Sequence, residues 1–187
     1  MLFESIVWTS GQETASHCDR VGEYVYWFLN DFHLGYSKEE REYIVNGAKY
    51  HDIGKAFIPK EILYKSNGLT DEEWDKIKEH PVLGYAFIEK HEAILTDAEK
   101  EICKNIALLH HRRADGSGYP QFDGEIPLYV QLVSVIDIFD ALTSPRCYQR
   151  PITVDEAFEM METGQCGWLN IDIVRKLKCM ITRRGKL

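Results

Sequence analysis

Two adjacent pairs of side chains that can bind metal ions each end an apolar segment of the sequence. His51 and Asp52 follow one such segment, and His110 and His111 follow another. Asp137 lies inside the apolar run Val-Ser-Val-Ile-Asp-Ile-Phe. Burying a bare carboxylate there would cost several kcal/mol, so this residue has to be paired or to coordinate a cation. These residue types predict a metal site.

Further candidate ligands lie in two other segments. Glu13 and His17 are four residues apart, so on a helix they share one face and could bind the same centre. His80 stands directly before Pro81, where a helix is expected to be interrupted. Asp140 follows Asp137 by three residues. It is interpreted as a helix cap or an ion-pair partner rather than a ligand.

The chemistry of this set is that of a multinuclear metal centre. Imidazole and carboxylate ligands without a nearby thiolate suit iron, manganese or zinc. Their number exceeds what one ion needs, which favours a cluster of two or three ions. A hydroxide held between two such ions is a ready nucleophile for in-line attack on phosphorus, and the ions neutralise charge on the phosphoryl oxygens.

The elements that must position these residues are helices. Apolar residues recur at three- and four-residue steps, with no alternating strand pattern, so we predict an all-α fold in one domain. Ser37 with Glu40, and Thr70 with Glu73, have the spacing of capping boxes. The expected helices cover residues 12–34, 37–51, 70 onward with a break near Pro81, 97–111, 128–144, 154–163 and 170–181, with loops around Gly54 and Pro59 and over 112–127.

Composition excludes several classes of protein. The chain has 187 residues, a net charge of −8 and a sequence pI near 5.4, which argues against a duplex nucleic-acid surface. Five cysteines without CxxC spacing are typical of reduced thiols. The N-terminus is unlike a signal peptide and no apolar stretch approaches the length of a membrane helix, so we expect a cytoplasmic protein that binds no membrane.

Several motifs in a fixed order resemble one known family. They are His-Asp-Ile-Gly-Lys at 51–55 followed by Ile-Pro and Gly-Leu-Thr, His-His at 110–111 followed by Asp-Gly-Ser-Gly-Tyr-Pro at 115–120, and Asp-Ile-Phe-Asp-Ala-Leu-Thr-Ser at 137–144 followed by Arg146 and Tyr148. Over residues 10–165 the chain resembles the HD-GYP subgroup of the HD phosphohydrolases. The resemblance implies a compact helical HD-domain bundle with a structured loop at Gly118, Tyr119 and Pro120, here called the GYP loop.

The resemblance also implies an activity and a ligand set. The expected reaction is hydrolysis of cyclic di-GMP to the linear dinucleotide pGpG or to GMP, with two or three divalent ions, iron or manganese, as cofactors. Asp52 would be the bridging carboxylate, and Glu13 would supply the ligand for a third ion. The implied metal ligands are Glu13, His17, His51, Asp52, His80, His110, His111 and Asp137.

Substrate contacts follow by position in the same motifs. Lys55 would contact the scissile phosphate or the leaving oxygen, Arg146 would hold a substrate phosphate, and the GYP loop would frame the pocket, with Tyr119 stacking or hydrogen bonding. Two positions depart from the family pattern. Arg112 stands where a glutamate is usual, which adds a positive charge near the site, and Gln149 stands where a lysine is frequent, which removes a phosphate contact.

Alternatives stay open at this point. The chain could be an HD-type nucleotidase or phosphatase, or a non-catalytic module that binds a cyclic dinucleotide or a protein partner. We expect residues 1–165 to form the phosphohydrolase domain, with a helix and a basic, solvated tail at 166–187 belonging to the same domain. Family members usually carry a sensory or receiver domain before this one, and none is expected within these residues. Either a separate sensor protein or a diguanylate cyclase is then the expected partner, or the chain is an excised or stand-alone domain. The mixed cyclic GMP-AMP dinucleotide as substrate and a homodimer are also left open.

Overall fold

Ten α-helices and a 3₁₀ helix make up the regular structure of the residues described. The computed structural model describes residues 2–91, 95–113, 115–145 and 150–185, and no β-strand occurs within them. The all-α prediction is therefore confirmed. The helices are α1 (Leu2–Thr9), α2 (Gln12–Asp31), α3 (Lys38–Tyr50), the 3₁₀ helix (Ile53–Phe57), α4 (Lys60–Leu63), α5 (Asp71–Ile77), α6 (His80–Lys90), α7 (Asp97–Leu109), α8 (Leu128–Thr143), α9 (Val154–Glu162) and α10 (Ile171–Arg183).

Helix boundaries follow the predicted start signals closely. Both expected capping boxes are present, Ser37 with Glu40 at α3 and Thr70 with Glu73 at α5. In each box the side chains satisfy backbone N–H groups that have no partner inside the helix. The expected break near Pro81 is also confirmed, because α5 ends before it and the proline lies in the first turn of α6.

Three local differences from the sequence prediction appear. The helix expected to reach residue 34 ends at Asp31. The segment expected as loop around Gly54 and Pro59 forms the 3₁₀ helix and α4, because hydrogen bonds such as Lys55 N–H to Asp52 C=O (2.9 Å) close three-residue turns. Helix α1 lies in a segment for which no helix was predicted, and its apolar face is buried.

Helix α8 lies in the main core of the protein. Most of its 16 residues are buried on all sides, as expected for a helix that is apolar around its circumference. Its buried polar side chains are Ser134, Asp137 and Asp140. Residues of α2, α3, α7, α9 and α10 pack in the same core cluster. Two carboxylates are thereby held in the middle of an apolar bundle.

A second, smaller cluster surrounds the 3₁₀ helix. Phe3 and Val7 of α1 pack there with Tyr50, Ile53 and Ile88. The Phe3 ring contacts the Tyr50 ring at a centroid distance of 5.3 Å. Helix α1 therefore covers the short segment that follows the His51-Asp52 pair.

The C-terminal helix packs into the main core rather than standing apart from it. Ile173, Leu177 and Met180 of α10 belong to the same buried cluster as α8. After the helix, the exposed Arg184 donates to Asp31 of α2 at 2.8 Å and lies over the Trp27 ring at 5.0 Å. Helix α10 therefore shares the core of α8, while the single domain and its boundary at residue 165 stay predictions.

Membrane insertion was not expected. Across the described ranges, none of the helices combines the length and the apolar character needed to cross a lipid bilayer.

Replacing Leu177 tests whether α10 is integral to the fold. The side chain is fully buried, so Leu177→Ala should lower the free energy of unfolding by about 2–5 kcal/mol through lost burial and a residual cavity. Urea denaturation followed by circular dichroism measures this. The matched control, Arg175→Ala on the exposed face of α10, should change stability by less than about 0.5 kcal/mol. A Leu177→Ala protein with an unchanged main transition would show that α10 is not part of the cooperative unit.

Candidate metal centre

Seven of the eight predicted ligands meet at one place. Within each of two groups, the ligand atoms all lie within 4.8 Å of one another. Glu13 is in neither group; it borders the adjoining cavity, one helical turn before His17 on α2. The first group is Asp52, His80, His110 and His111, and the second is His17, His51 and Asp137.

Close backbone packing brings the His-Asp pair to this place. His51 caps the end of α3, and Asp52 precedes the 3₁₀ helix. Gly54 lies so near the start of α6 that a Cβ atom there would be 1.9 Å from the carbonyl oxygen of His80. Only glycine allows the two backbones to come so close, which explains why a glycine stands two residues after Asp52. This close approach places His80 beside Asp52.

Backbone carbonyl groups fix the orientation of three imidazoles. In His51, His80 and His110 the Nδ1 atom lies within hydrogen-bond distance of a carbonyl oxygen, which can only accept, so Nδ1 carries the proton and donates. Nε2 is then left as a lone-pair donor facing the centre, which is the usual arrangement of a metal-binding histidine. The acceptors are Ala48 at 2.7 Å for His51, Ile77 at 2.7 Å for His80, and Ile106 and Ala107 at 3.0 and 3.1 Å for His110.

The carboxylate of Asp52 lies between the two ligand groups. Its Oδ1 atom is 3.2 Å from Nε2 of His80 and 3.7 Å from Nε2 of His110. Its Oδ2 atom is 3.4 Å from Nε2 of His51 and 4.0 Å from Nε2 of His17. Each oxygen thus faces one group, as a carboxylate that bridges two ions would.

Several of these atoms are acceptors that face other acceptors. With Nδ1 protonated in both rings, Nε2 of His80 and Nε2 of His110 point lone pairs at each other across 3.3 Å. Oδ1 of Asp52 and Nε2 of His51 are buried and have no hydrogen-bond partner among the described residues. Buried polar atoms without a partner are costly, and divalent cations bound in the two groups would satisfy all four. The donor set therefore fits metal ions.

Protonation states favour coordination at most of these groups. Burial lowers the pKa of His110 to about 4, outweighing the opposite effect of the nearby Asp52 carboxylate. Burial opposes ionisation of Asp52, yet the charges of Lys55 and His51 hold its pKa well below the ordinary range. Burial also opposes protonation of His51, but the charge of Asp52 raises its pKa, so metal binding there would displace a proton.

A cysteine corrects one expectation about this centre. The ligands were expected to have no thiol nearby, but the Cys18 thiol lies within 4.8 Å of ligand atoms of His51 and Asp52. It is buried, because it follows His17 on the inner side of α2. Adjacency to His17 in the sequence was the signal that could have revealed it.

Asp140 is an ion-pair partner, as the sequence interpretation expected, and it also orients His17, which was not expected. Its Oδ2 atom accepts a hydrogen bond of 2.6 Å from Nδ1 of His17, whose Nε2 atom is 2.9 Å from Oδ1 of Asp137. Arg20 donates to both oxygens of Asp140, at 2.7 and 2.8 Å. Burial opposes the charge, but these bonds lower the pKa of Asp140 to about 2. The three-residue spacing from Asp137, which places both on one helix face, was the available signal.

Lys55 and the GYP loop both border the centre. Nζ of Lys55 donates to Oδ2 of Asp52 at 2.5 Å. The Tyr119 ring stacks on the His111 ring at 4.6 Å and 30°. Gly118 has a φ of 87°, and a Cβ atom there would be 2.0 Å from the carbonyl oxygen of His111, so the loop lies directly against a candidate ligand.

Arg112 braces this loop and does not reach the cavity. Its buried guanidinium donates to the carbonyl oxygens of Gly118 at 3.3 Å and Phe122 at 3.2 Å. The arginine thus lies near the site, as expected, and its observed contacts are with the backbone of the loop. Arg146, Tyr148 and Gln149 lie outside the described residues, so the phosphate-binding role of Arg146 stays a prediction.

A cavity of about 670 Å³ opens over the centre, a size typical of small-ligand sites. His17, His80 and His111 line one part of it, and Arg20 and Lys55 add positive charge. Cationic groups beside metal ligands suit an anionic substrate. The remaining lining includes Glu13, Tyr119 and an apolar portion formed by Ile62, Leu63, Tyr64, Leu69, Trp74 and Ile77.

Comparison with protein families and curated proteins identifies relatives of the chain. Residues 33–171 match the sequence model of the HD domain. A cyclic di-GMP phosphodiesterase of Vibrio cholerae is 41% identical over 66% of this chain and 26% of its own length. One of Thermotoga maritima is 37% identical over 81% and 40%. The 3'3'-cGAMP-specific phosphodiesterase 2 of Vibrio cholerae is 33% identical over 79% and 28%. The chain thus spans about a quarter to two fifths of these relatives.

Solved structures share the fold. A HDG"Y"P protein from Bdellovibrio bacteriovorus superposes with a TM-score of 0.69 at 17% identity, over 90% of this chain and 52% of that one. The HD domain of the phosphodiesterase PgpH from L. monocytogenes gives a TM-score of 0.67 at 15% identity, over 98% and 97%. At these identities the likeness concerns the arrangement of helices.

Removing the charge of Asp140 tests its effect on the centre. Asp140→Asn should weaken metal affinity about 10–100-fold, because an amide NH₂ group replaces one of the two oxygens that accept from His17 and Arg20, and the negative charge that orients His17 is lost. Titration of chelator-treated protein with Mn²⁺ in a calorimeter measures this. Asp19→Asn, on the exposed face of the same helix as His17, is the control and should bind like the unmodified protein. Equal metal affinity in the two variants would show that Asp140 does not contribute to metal binding.

Proposed function

The chain belongs to the HD domain family, in its HD-GYP subgroup, and on that basis we propose that it is a metal-dependent phosphodiesterase that hydrolyses a cyclic dinucleotide. The first candidate substrate is cyclic di-GMP. The observation that carries the proposal is the Asp52 carboxylate, placed between two groups of ligands, three of whose histidines line a cavity that also holds basic side chains. A single-ion site would have no use for this bridging position.

The metal centre of the proposal holds two ions, iron or manganese. His80, His110 and His111 would hold one and His17, His51 and Asp137 the other, with Asp52 shared. When bound, divalent ions activate water and neutralise charge on phosphoryl oxygens. Glu13 borders the cavity beside His17 and would serve a third ion. The nitrogen and oxygen donors agree with this choice of metals.

The side chains around the centre have separate tasks in the proposed reaction. Water adds across one phosphodiester bond: its oxygen joins phosphorus, the bond to the sugar 3' oxygen breaks, and that oxygen takes up a proton. Lys55, held beside Asp52, would meet the charge that develops on the leaving oxygen. Arg20, part exposed to the cavity, would attract the second phosphate. Tyr119, stacked on His111, would close one side of the pocket.

Cyclic di-GMP is favoured as substrate because it is named for relatives with 37–42% identity. The mixed 3'3'-cGAMP dinucleotide is the second candidate, since phosphodiesterases named for it are 28–33% identical to the chain. Parallel turnover assays with the two dinucleotides separate the candidates. A sensor protein, a diguanylate cyclase partner, a homodimer and a cytoplasmic location stay predictions.

Loss of the bridging carboxylate tests both metal binding and activity. Asp52→Ala should abolish turnover of cyclic di-GMP and lower bound metal, because both ions lose a ligand. Elemental analysis of anaerobically purified protein, with chromatography of the products, measures the two effects. Asp155→Ala, exposed in the first turn of α9, is the control. Normal metal content and turnover in the Asp52 variant would refute the proposed centre.

Replacing Lys55 separates the chemistry from metal binding. A charged lysine cannot be a ligand, so Lys55→Ala should keep its metal, while kcat falls about 10²–10³-fold because a donor to the leaving oxygen is lost. Lys60→Ala, an exposed lysine at the start of α4, should leave kcat unchanged. Steady-state kinetics with elemental analysis decide the point; if Lys55→Ala loses metal and activity together, the residue instead supports the centre itself.

A further inference from the structure

Helix α5 is unusual in this protein because none of its residues is buried. It is held by its capping box and by Lys65, which donates to both carboxylate oxygens of Glu73 at 2.9 and 2.6 Å. A helix of seven residues is not stable alone in water, and this one contributes nothing to the core. Its position over the cavity is the feature that needs an explanation.

The large aromatic residue of this helix faces the cavity. Trp74 is 48% exposed, yet it lines the same cavity as the candidate metal ligands. Ile77, three residues later and therefore on the same helix face, lines it too. Tyr64, at the end of α4 and 39% exposed, adds a second aromatic ring to this apolar portion. A planar apolar group would find two rings here.

The apolar portion is linked rigidly to the metal centre. The carbonyl group of Ile77 accepts the 2.7 Å hydrogen bond from Nδ1 of His80, so the last residue of α5 orients a candidate ligand. Trp74 lies three residues earlier, which is about 4.5 Å along the helix axis. A ligand with its phosphate at the ligand groups could therefore reach the tryptophan with a neighbouring part of the same molecule.

The cavity thus joins a cationic, metal-binding region to an aromatic region, and a nucleotide has the same two parts. We propose that Trp74, in the cavity that Tyr64 also lines, forms a subsite in which a purine base of the substrate stacks; this rests on the proposed function for the identity of the substrate. Every base has an aromatic face, so stacking would supply affinity in the ground state and the transition state alike. Trp74 is accordingly a binding residue for the base.

Kinetics of tryptophan variants provide the first test. Trp74→Ala should raise KM for cyclic di-GMP about tenfold with kcat changed less than about threefold, and Trp74→Phe should restore most of the affinity. Trp168→Ala, which is 60% exposed and does not line the cavity, is the matched control and should behave like the unmodified protein. Equal KM values in Trp74→Ala and the control would overturn the proposal, as would loss of metal from Trp74→Ala, which would make the residue a support of the centre.

Fluorescence provides a test that does not depend on turnover. The chain has four tryptophans, and stacked guanine should quench Trp74, so GMP should lower the emission of the protein purified with its metal. Ribose 5-phosphate, which has no base, should not, and the Trp74→Phe protein should lose the GMP response. Unchanged GMP quenching in that variant would overturn the subsite. If GMP quenching depends on Trp74 but cyclic di-GMP is not hydrolysed, the subsite stands and the proposed function fails. If cyclic di-GMP is hydrolysed and Trp74→Ala leaves its KM unchanged, the proposed function stands and the subsite fails.

Discussion

The structure depends on holding the Asp52 carboxylate ionised in a place from which water is largely excluded. The residue is 1% exposed, and its pKa is nevertheless well below the ordinary range, because Lys55 and His51 outweigh the cost of burial. Such a group is stable only when charge or a cation compensates it on every side. The helices around it are arranged to provide this compensation, with imidazoles from α2, α6 and the ends of α3 and α7 turned toward the two carboxylate oxygens. The same arrangement leaves lone pairs opposed to one another, which is why metal ions fit the centre so well.

Backbone groups contribute as much to the centre as the ligands themselves. Carbonyl oxygens near the ends of α3, α5 and α7 accept hydrogen bonds from imidazoles, and this fixes which ring nitrogen faces inward. Helix ends have such carbonyl groups to offer because they lack partners within the helix. On α2 the equivalent acceptor is the Asp140 side chain, supplied by the buried helix α8. Four of the five imidazoles of the centre are thus oriented by hydrogen bonds to helices.

The sequence predicted the helical class, the helix starts and most of the candidate ligands, because these depend on local patterns. Capping boxes act within four residues, and a carboxylate in an apolar run is conspicuous wherever the chain folds. It could not predict contacts between distant segments. The ion pair of Asp140 was expected, but its hydrogen bond to His17 was not. Cys18 was overlooked although it adjoins His17. The charge of Arg112 was expected near the site, but its contacts with the carbonyl groups of the loop were not. No role was predicted for Trp74, because the sequence of a short polar helix does not reveal that its tryptophan lines a cavity.

The ligands come from segments far apart in the chain, and this has a consequence for folding. His17 and Asp137 are 120 residues apart, and their side chains meet only when α2 and α8 have packed together. An ion held between them would close a loop of that length, and cross-links over long loops remove more conformational entropy from the unfolded chain than short ones do. Binding energy at such a site is also folding energy, because the unfolded chain has no preformed site. The supply of metal in the surroundings would then influence how long the folded chain persists, as well as how fast it reacts.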